Sequence, residues 1–175
     1  STYDLDYARL VYPFLIEVAN FWENYLIYED NRYNITGDAI GEVGDGSSDK
    51  NNCLPLSLVR MIFKGILEVS RELDRDEGRR GKWEHILDHL SDFPTAEVDG
   101  ILRIRGAEAG PGSSRIGPKR GDTRIEFQGL VWPSGVTGLG SDPSFLKVLQ
   151  DDVKGWPEKE WIHHYNGFNT TFPAA

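Results

Sequence analysis

Residues 12–27, "YPFLIEVANFWENYLI", decide the reading of the fold. Apolar side chains return every three or four positions from Leu10 through Phe14, Ile16, Val18, Phe21, Trp22 and Tyr25 to Leu26. Glu17, Asn20, Glu23 and Asn24 fall between them, which is the signature of an amphipathic helix over residues 4–28. Asp4 or Asp6 can cap its start. Pro13 is an interior breaker and predicts a kink or a join near Tyr12. A second helix is predicted from about 52 to 73. Pro55 lies in its first turn, and Leu56, Val59, Ile62, Phe63, Ile66, Leu67 and Val69 form a stripe wide enough for two neighbours. A third covers roughly 75–90, with Trp83, Ile86, Leu87 and Leu90 on one face. A fourth follows Asp142 with Pro143 at its first position, and a fifth is expected near Trp161.

Between the first two helices, "EDNRYNITGD" reads as a turn and one short strand over residues 33–35. "GILRIRG" and "TRIEFQGLVWP" are β-patterned and flank a Gly-rich stretch. They predict a partly β insertion spanning about residues 97–132. The expected architecture for residues 1–175 is therefore mainly α. Helical hairpins of part of an (α/α)6 toroid are interrupted by this insertion, with functional groups on loops at one end.

Composition narrows the partners. A net charge of −9 argues against nucleic acid, which requires a basic face. The most basic run, "RIGPKRGDTR" at 115–124, reads as a solvated loop. No run of about 18 apolar residues exists, so no membrane span is expected. One cysteine, Cys53, rules out an internal disulfide and reads as a small buried apolar residue at a helix start. The chain opens and closes abruptly, without an initiator Met, as an excised segment of a longer protein would. Cut helices would then expose apolar stripes able to pair with another copy or with the missing parts.

The loop "GDAIGEVGDGSSDKNN", residues 37–52, holds four carboxylates among four glycines. Asp45, Ser47, Asp49 and Asn51 alternate as calcium ligands would. Lys50 and Leu56 occupy the positions where an EF-hand needs Gly and Glu, so that motif is rejected. Asp38, Asp45 and Asp49 read as caps and turn formers. His163 and His164 are adjacent and point to different sides of a helix, which does not suit one metal. No metal and no cofactor are expected. No nucleophile elbow, phosphate loop or dinucleotide fingerprint is present. Arg120-Gly121-Asp122 is a chance tripeptide. Asn34-Ile35-Thr36 and Asn169-Thr170-Thr171 are glycosylation sequons that matter only in a eukaryotic secretory protein.

"YPFLIEVANFWENYLI", the loop just described with "CLPLSLVRMIFKGILEVSRELDRDE", and "KWEHILDHLSDFP" together resemble the middle of the six-hairpin (α/α)6 glycosidases, in particular the α-L-fucosidase type. "LVWPSGVTGLGSDPSFLKVLQDDV" and "WIHHYNGFNTTFPAA" resemble a following hairpin. The resemblance implies glycosidic-bond hydrolysis by a general acid and a general base, on an α-linked deoxyhexose or a related sugar. It puts the acid in the loop after the first helix, where Glu42 falls. The family's Ser-Pro-Glu run is Ile40-Gly41-Glu42 here. The family's base and water-positioning Asn lie in stretches that this chain does not match.

Burial between Gly41 and Val43 would raise the pKa of Glu42, as an acid needs. Glu126 is the candidate second carboxylate, Trp132 a sugar platform, and Gln128 and Asp38 further substrate contacts. A polysaccharide-degrading role carries an expected secreted or periplasmic location. The alternative is a non-catalytic helical module that binds carbohydrate or protein.

Overall fold

Asn52 starts the central helix. Its side-chain oxygen accepts the Leu54 N–H at 3.0 Å, and the helix, α2, then runs Cys53–Glu72 with Pro55 in the first turn. The computed structural model describes residues 4–38, 48–117, 128–138 and 140–155. α1 (Leu5–Tyr25) is capped by Asp4, whose carboxylate accepts from the Asp6 and Tyr7 N–H groups. α3 (Glu77–His89) follows α2 closely, and α1 and α3 both pack on it. Two later helices, α4 (Gln128–Val131) and α5 (Pro143–Lys154), complete the helical set among the described residues. Asp142 caps α5, with Pro143 at its first position as expected. The protein is mainly α.

Three antiparallel two-stranded ribbons sit on the connections: β1 (Ile27–Glu29) with β2 (Arg32–Asn34), β3 (Thr36–Asp38) with β4 (Asp49–Lys50), and β5 (Thr95–Val98) with β6 (Ile101–Ile104). The first and last turn through Asp30-Asn31 and Asp99-Gly100, all four at positive φ, as a tight hairpin requires. Gly37, at φ +71°, is the extra residue of a bulge in the β3–β4 stem.

The core has two parts, and α2 contributes to both. Phe63, Ile66, Leu67, Val59 and Leu56 pack with Tyr12, Ala19 and Leu26 of the α1 segment and with Trp83, Ile86 and Leu90 of the α3 segment. Cys53, at the start of α2, packs with Ile104, Leu130, Val148 and Leu149. It is fully buried, as its place in the sequence suggested, and its thiol donates to the Arg105 carbonyl. A buried Glu23 ties α1 to α3, accepting from Arg79, Lys82 and the Trp83 indole. Burial pushes its carboxyl up, but these donors outweigh burial and hold it below the usual range.

Four sequence expectations need correction. Pro13 lies inside a continuous α1 and marks no join near Tyr12. The helix also ends three residues early, and Ile27–Glu29 pairs as β1 instead. The apolar stripe of α1 does not face one way. Tyr12, Ala19, Leu15, Ile16 and Trp22 pack inward, whereas Leu10 is 76% exposed and Phe14 69%. Finally, the β-rich pattern near residue 128 is helical over Gln128–Val131, where α4 packs against α2. The segments around residues 123–127 and 161 lie outside the described residues.

One buried ion pair fastens α5. Asp152 is fully buried, and its carboxylate accepts the Ile104 N–H at 3.0 Å and Arg103 Nη1 at 3.1 Å. Burial raises its pKa against the pull of these donors. Asp152→Ala would leave the buried Ile104 N–H without its acceptor and Arg103 Nη1 with the Asp151 carbonyl. The expected cost is about 1–3 kcal/mol, read as a lower urea midpoint with early loss of amide protection in α5.

Candidate functional site

The polar residues gather where α1 and α3 end and α2 begins. Asn51, immediately before the α2 cap, is fully buried and holds φ +52°, a left-handed conformation that Asn tolerates better than most residues. Its side-chain oxygen accepts the Ile35 N–H at 2.9 Å. Its amide nitrogen reaches Asn34 Oδ1 at 2.9 Å, Ser91 Oγ at 3.2 Å and Glu108 Oε2 at 2.7 Å. Ser91 in turn donates to the Tyr33 carbonyl at 2.8 Å. One residue therefore joins the β2–β3 connection, the end of α3 and the loop after β6.

Glu108 is the charged member. Arg32 clamps it with two hydrogen bonds of 2.8 Å each, and Lys50 Nζ stands at 3.9 Å. The Arg32 fork lowers the carboxyl pKa first; burial opposes this, and Asn51 adds to the lowering. Glu108 is a fixed anion, suited to positioning and to accepting hydrogen bonds, not to donating a proton. Arg32, Glu108, Asn31, Asp88, His89 and Asp92 line a polar cleft of about 490 Å³.

A second cleft of about 840 Å³ shares Asp92 and Phe93 with the first. Its other walls include Arg60, Lys64, Thr137, Asp142 and Phe145. Arg60 is committed to structure: it donates to the Leu90 and Ser91 carbonyls at 3.1 and 2.8 Å and lies 4.5 Å over the Phe93 ring. Burial lowers its pKa.

The same end of α2 receives three further loops. Asp49, almost fully buried, accepts the Gly112 N–H at 2.8 Å. Gly110, at φ +88°, lies so close to Asp49 that a Cβ there would meet the carboxylate at 2.5 Å. Ser57 Oγ donates to the Gly129 carbonyl, and Gly129 packs on Leu54. Ser134 also donates to the Gly129 carbonyl. Asn52 Nδ2 is buried without a partner among the described residues.

The candidates from the sequence fall as follows. Glu42 lies outside the described residues, in the segment joining β3 to β4; Glu126 is also outside them. Asp38 is half-buried at the end of the β3–β4 stem, opposite Asp49. Trp132 follows α4, three residues from Gly129, and is 51% exposed. Gln128 opens α4, and its side chain is outside the description. Asp49 and Asn51 turn their oxygens inward to Gly112 and Ile35, which removes two ligands from the alternating calcium pattern. Among the described residues no group of three or more His, Cys, Asp or Glu is arranged to hold a metal, and no helix is long and apolar enough to cross a membrane.

Arg32 and Glu108 drew no notice in the sequence, and Asn51 stood out only in the alternating oxygen pattern. Glu108 carries a usable signal: a lone carboxylate in "GAEAG", the same Gly-flanked setting that drew attention to Glu42. No family model matches the chain, and no curated protein matches it significantly.

The depressed pKa of Glu108 sets a pH dependence. Its ionised form stabilises the folded state above the ordinary glutamate range, and this contribution is lost as pH falls through the lower folded value. In Glu108→Gln the stability deficit relative to wild type should be largest near neutrality. It should shrink between about pH 5 and pH 2, as measured by urea denaturation across that range.

Proposed function

We propose that this chain is part of a glycoside hydrolase with an (α/α)6 toroid, and that it cleaves glycosidic bonds by general acid and base catalysis. The observation that carries the reading is the gathering of polar loops at one end of α2. The β3–β4 stem that bears the Glu42 segment and the loop carrying Glu108 meet through Asp49 and Asn51 just before that helix, and the turn carrying exposed Trp132 meets its first turn through Ser57. The fold supports this indirectly. The outward face of α1, with Tyr7, Leu10, Phe14 and Phe21, has the form of a helix that needs a neighbour on its second side. A ring of hairpins supplies one.

In this reading Glu42 protonates the leaving-group oxygen as the glycosidic C–O bond breaks. A second carboxylate, for which Glu126 is the candidate, draws a proton from the attacking water. Trp132 offers its ring face to a sugar, and Asp38 and Gln128 contact hydroxyls. An α-linked deoxyhexose is the substrate class that the family resemblance implies, and a secreted or periplasmic site of action goes with it.

A non-catalytic carbohydrate-binding module is the second reading. It is favoured by the state of Glu108, which the Arg32 fork holds as an anion and makes unsuitable as a proton donor.

Glu42→Gln in the intact protein separates the two. Hydrolysis of aryl glycosides should fall by about 10²–10⁴-fold with sugar binding retained. An unchanged rate would sink the assignment of Glu42, and a wild-type protein that binds sugar without turnover would favour the module. Trp132→Ala should weaken sugar binding about tenfold in either case, or about 1.4 kcal/mol.

A further inference from the structure

α3 carries His85 and His89 four residues apart, one turn above the other. Their rings stack at a centroid separation of 4.0 Å with 21° between planes. The β1–β2 ribbon lies alongside, with the register partners Tyr28 and Tyr33 against the imidazoles at 5.4 and 5.6 Å from His85. Each ring has its Nδ1 engaged. His89 Nδ1 is 2.9 Å from the His85 carbonyl, which can only accept, so that nitrogen carries the proton. His85 Nδ1 is 3.2 Å from the Tyr33 hydroxyl. Both Nε2 atoms lack a hydrogen-bond partner among the described residues, in a chain of net charge −9.

We propose that His85 and His89 form a binding site for a borderline divalent transition metal, Zn²⁺ or Cu²⁺, through their two Nε2 atoms. The arrangement has the parts that such a site uses. Ligating histidines hold their other ring N–H on a carbonyl or a similar group, which fixes the tautomer and leaves a lone pair on the outer nitrogen. His89 already has this arrangement, and His85 reaches it by donating Nδ1–H to the Tyr33 oxygen. Two histidines at i and i+4 on one helix face are the spacing that helical zinc pairs use.

Zn–N bonds of about 2.0–2.1 Å at a tetrahedral angle require nitrogens roughly 3.3 Å apart. Rings stacked 4.0 Å apart with 21° between planes hold their lone pairs side by side, so binding requires one imidazole to turn out of the stack. The protein supplies two ligands, and the remaining positions are open to water. His89 also lines the cleft with Arg32 and Glu108, so the metal would stand at that cleft's rim. The hard cations Ca²⁺ and Mg²⁺ prefer oxygen and should not bind there.

The test is titration of the intact protein with Zn²⁺ and with Cu²⁺ against a chromophoric competitor. The chain's only other histidines, His163 and His164, provide the control. The expected result is one equivalent bound, with Cu²⁺ tighter than Zn²⁺. Affinity should fall at least about tenfold in His85→Gln and in His89→Gln, and about tenfold in Tyr33→Phe. It should be unchanged in the His163→Gln/His164→Gln double variant. X-ray absorption of the loaded protein should show two imidazole nitrogens. Circular dichroism confirms that each variant is folded, which these surface positions on α3 permit. The proposal is overturned if wild type binds neither metal, if His85→Gln and His89→Gln bind as wild type does, or if only the His163/His164 variant loses the metal.

Discussion

The side chain of Asn51 is the constraint on which the loop end of the molecule depends. Its backbone sits at positive φ, a conformation that costs most residues free energy. It is repaid by hydrogen bonds to three separate parts of the chain, buried at Asn34, Ile35 and Ser91 and partly buried at Glu108. The left-handed turn also lets the chain leave the β3–β4 stem and enter α2 at once, with Asn52 capping. Remove the amide and the buried Ile35 N–H loses its acceptor, while Asn34 Oδ1 keeps Ser91 and Glu108 keeps Arg32 but each loses one donor. A buried orphan of this kind costs about 1–3 kcal/mol. The conformation of one residue and the placement of three loops are therefore a single problem with a single solution.

The helix shafts are organised differently. Phe63, Ile66 and Trp83 are fully buried, and their contribution is burial of area, which is large but indifferent to direction. Directional bonds appear where orientation matters. Glu23 fixes how α3 lies on α1, and Arg60 holds the end of α3 by its last carbonyls, where a cation also meets the negative end of the helix dipole. Apolar packing sets which elements touch; hydrogen-bonded charges set how.

This division explains what was legible in the sequence. The helices were, because their signals are local: Pro143 after Asp142, Asn52 before the apolar run, and the stripe from Leu56 to Val69. The two faces of α1 were not separable, since Leu10 and Phe14 carry the same apolar signal as Leu15 and Ile16, and only the position of α2 decides which are covered. The hairpin at Asp99-Gly100 had a local turn signal, while at Asp30-Asn31 the turn was legible but its first strand, β1, was obscured by the helical pattern running into Tyr28. The Asn51 network was illegible for a stricter reason. Its partners lie 17, 40 and 57 positions away, and no window along the chain contains them. The His85–His89 pair was different again: its spacing stood in the sequence, but attention went to the adjacent histidines at 163 and 164.

Two acids paired with arginines show how the fold distributes charge. Glu108 and Asp152 each meet an arginine, yet their pKa values move in opposite directions. Arg32 engages Glu108 through both arms of its fork, and water still reaches part of the carboxylate, so the charged form wins. Arg103 reaches Asp152 through one nitrogen, and that carboxylate is wholly enclosed, so burial wins. Asp152 works as a fastener for α5, where ionisation is a cost to be offset. Glu108 works as a permanent negative charge facing a cleft. A cleft lined by a fixed anion and a guanidinium presents both hydrogen-bond acceptors and donors. The proposed hydrolysis would draw its proton from a carboxyl that the Arg32 fork does not hold. The β3–β4 stem is anchored by Asp49 on Gly112 and by Asn51 on Ile35.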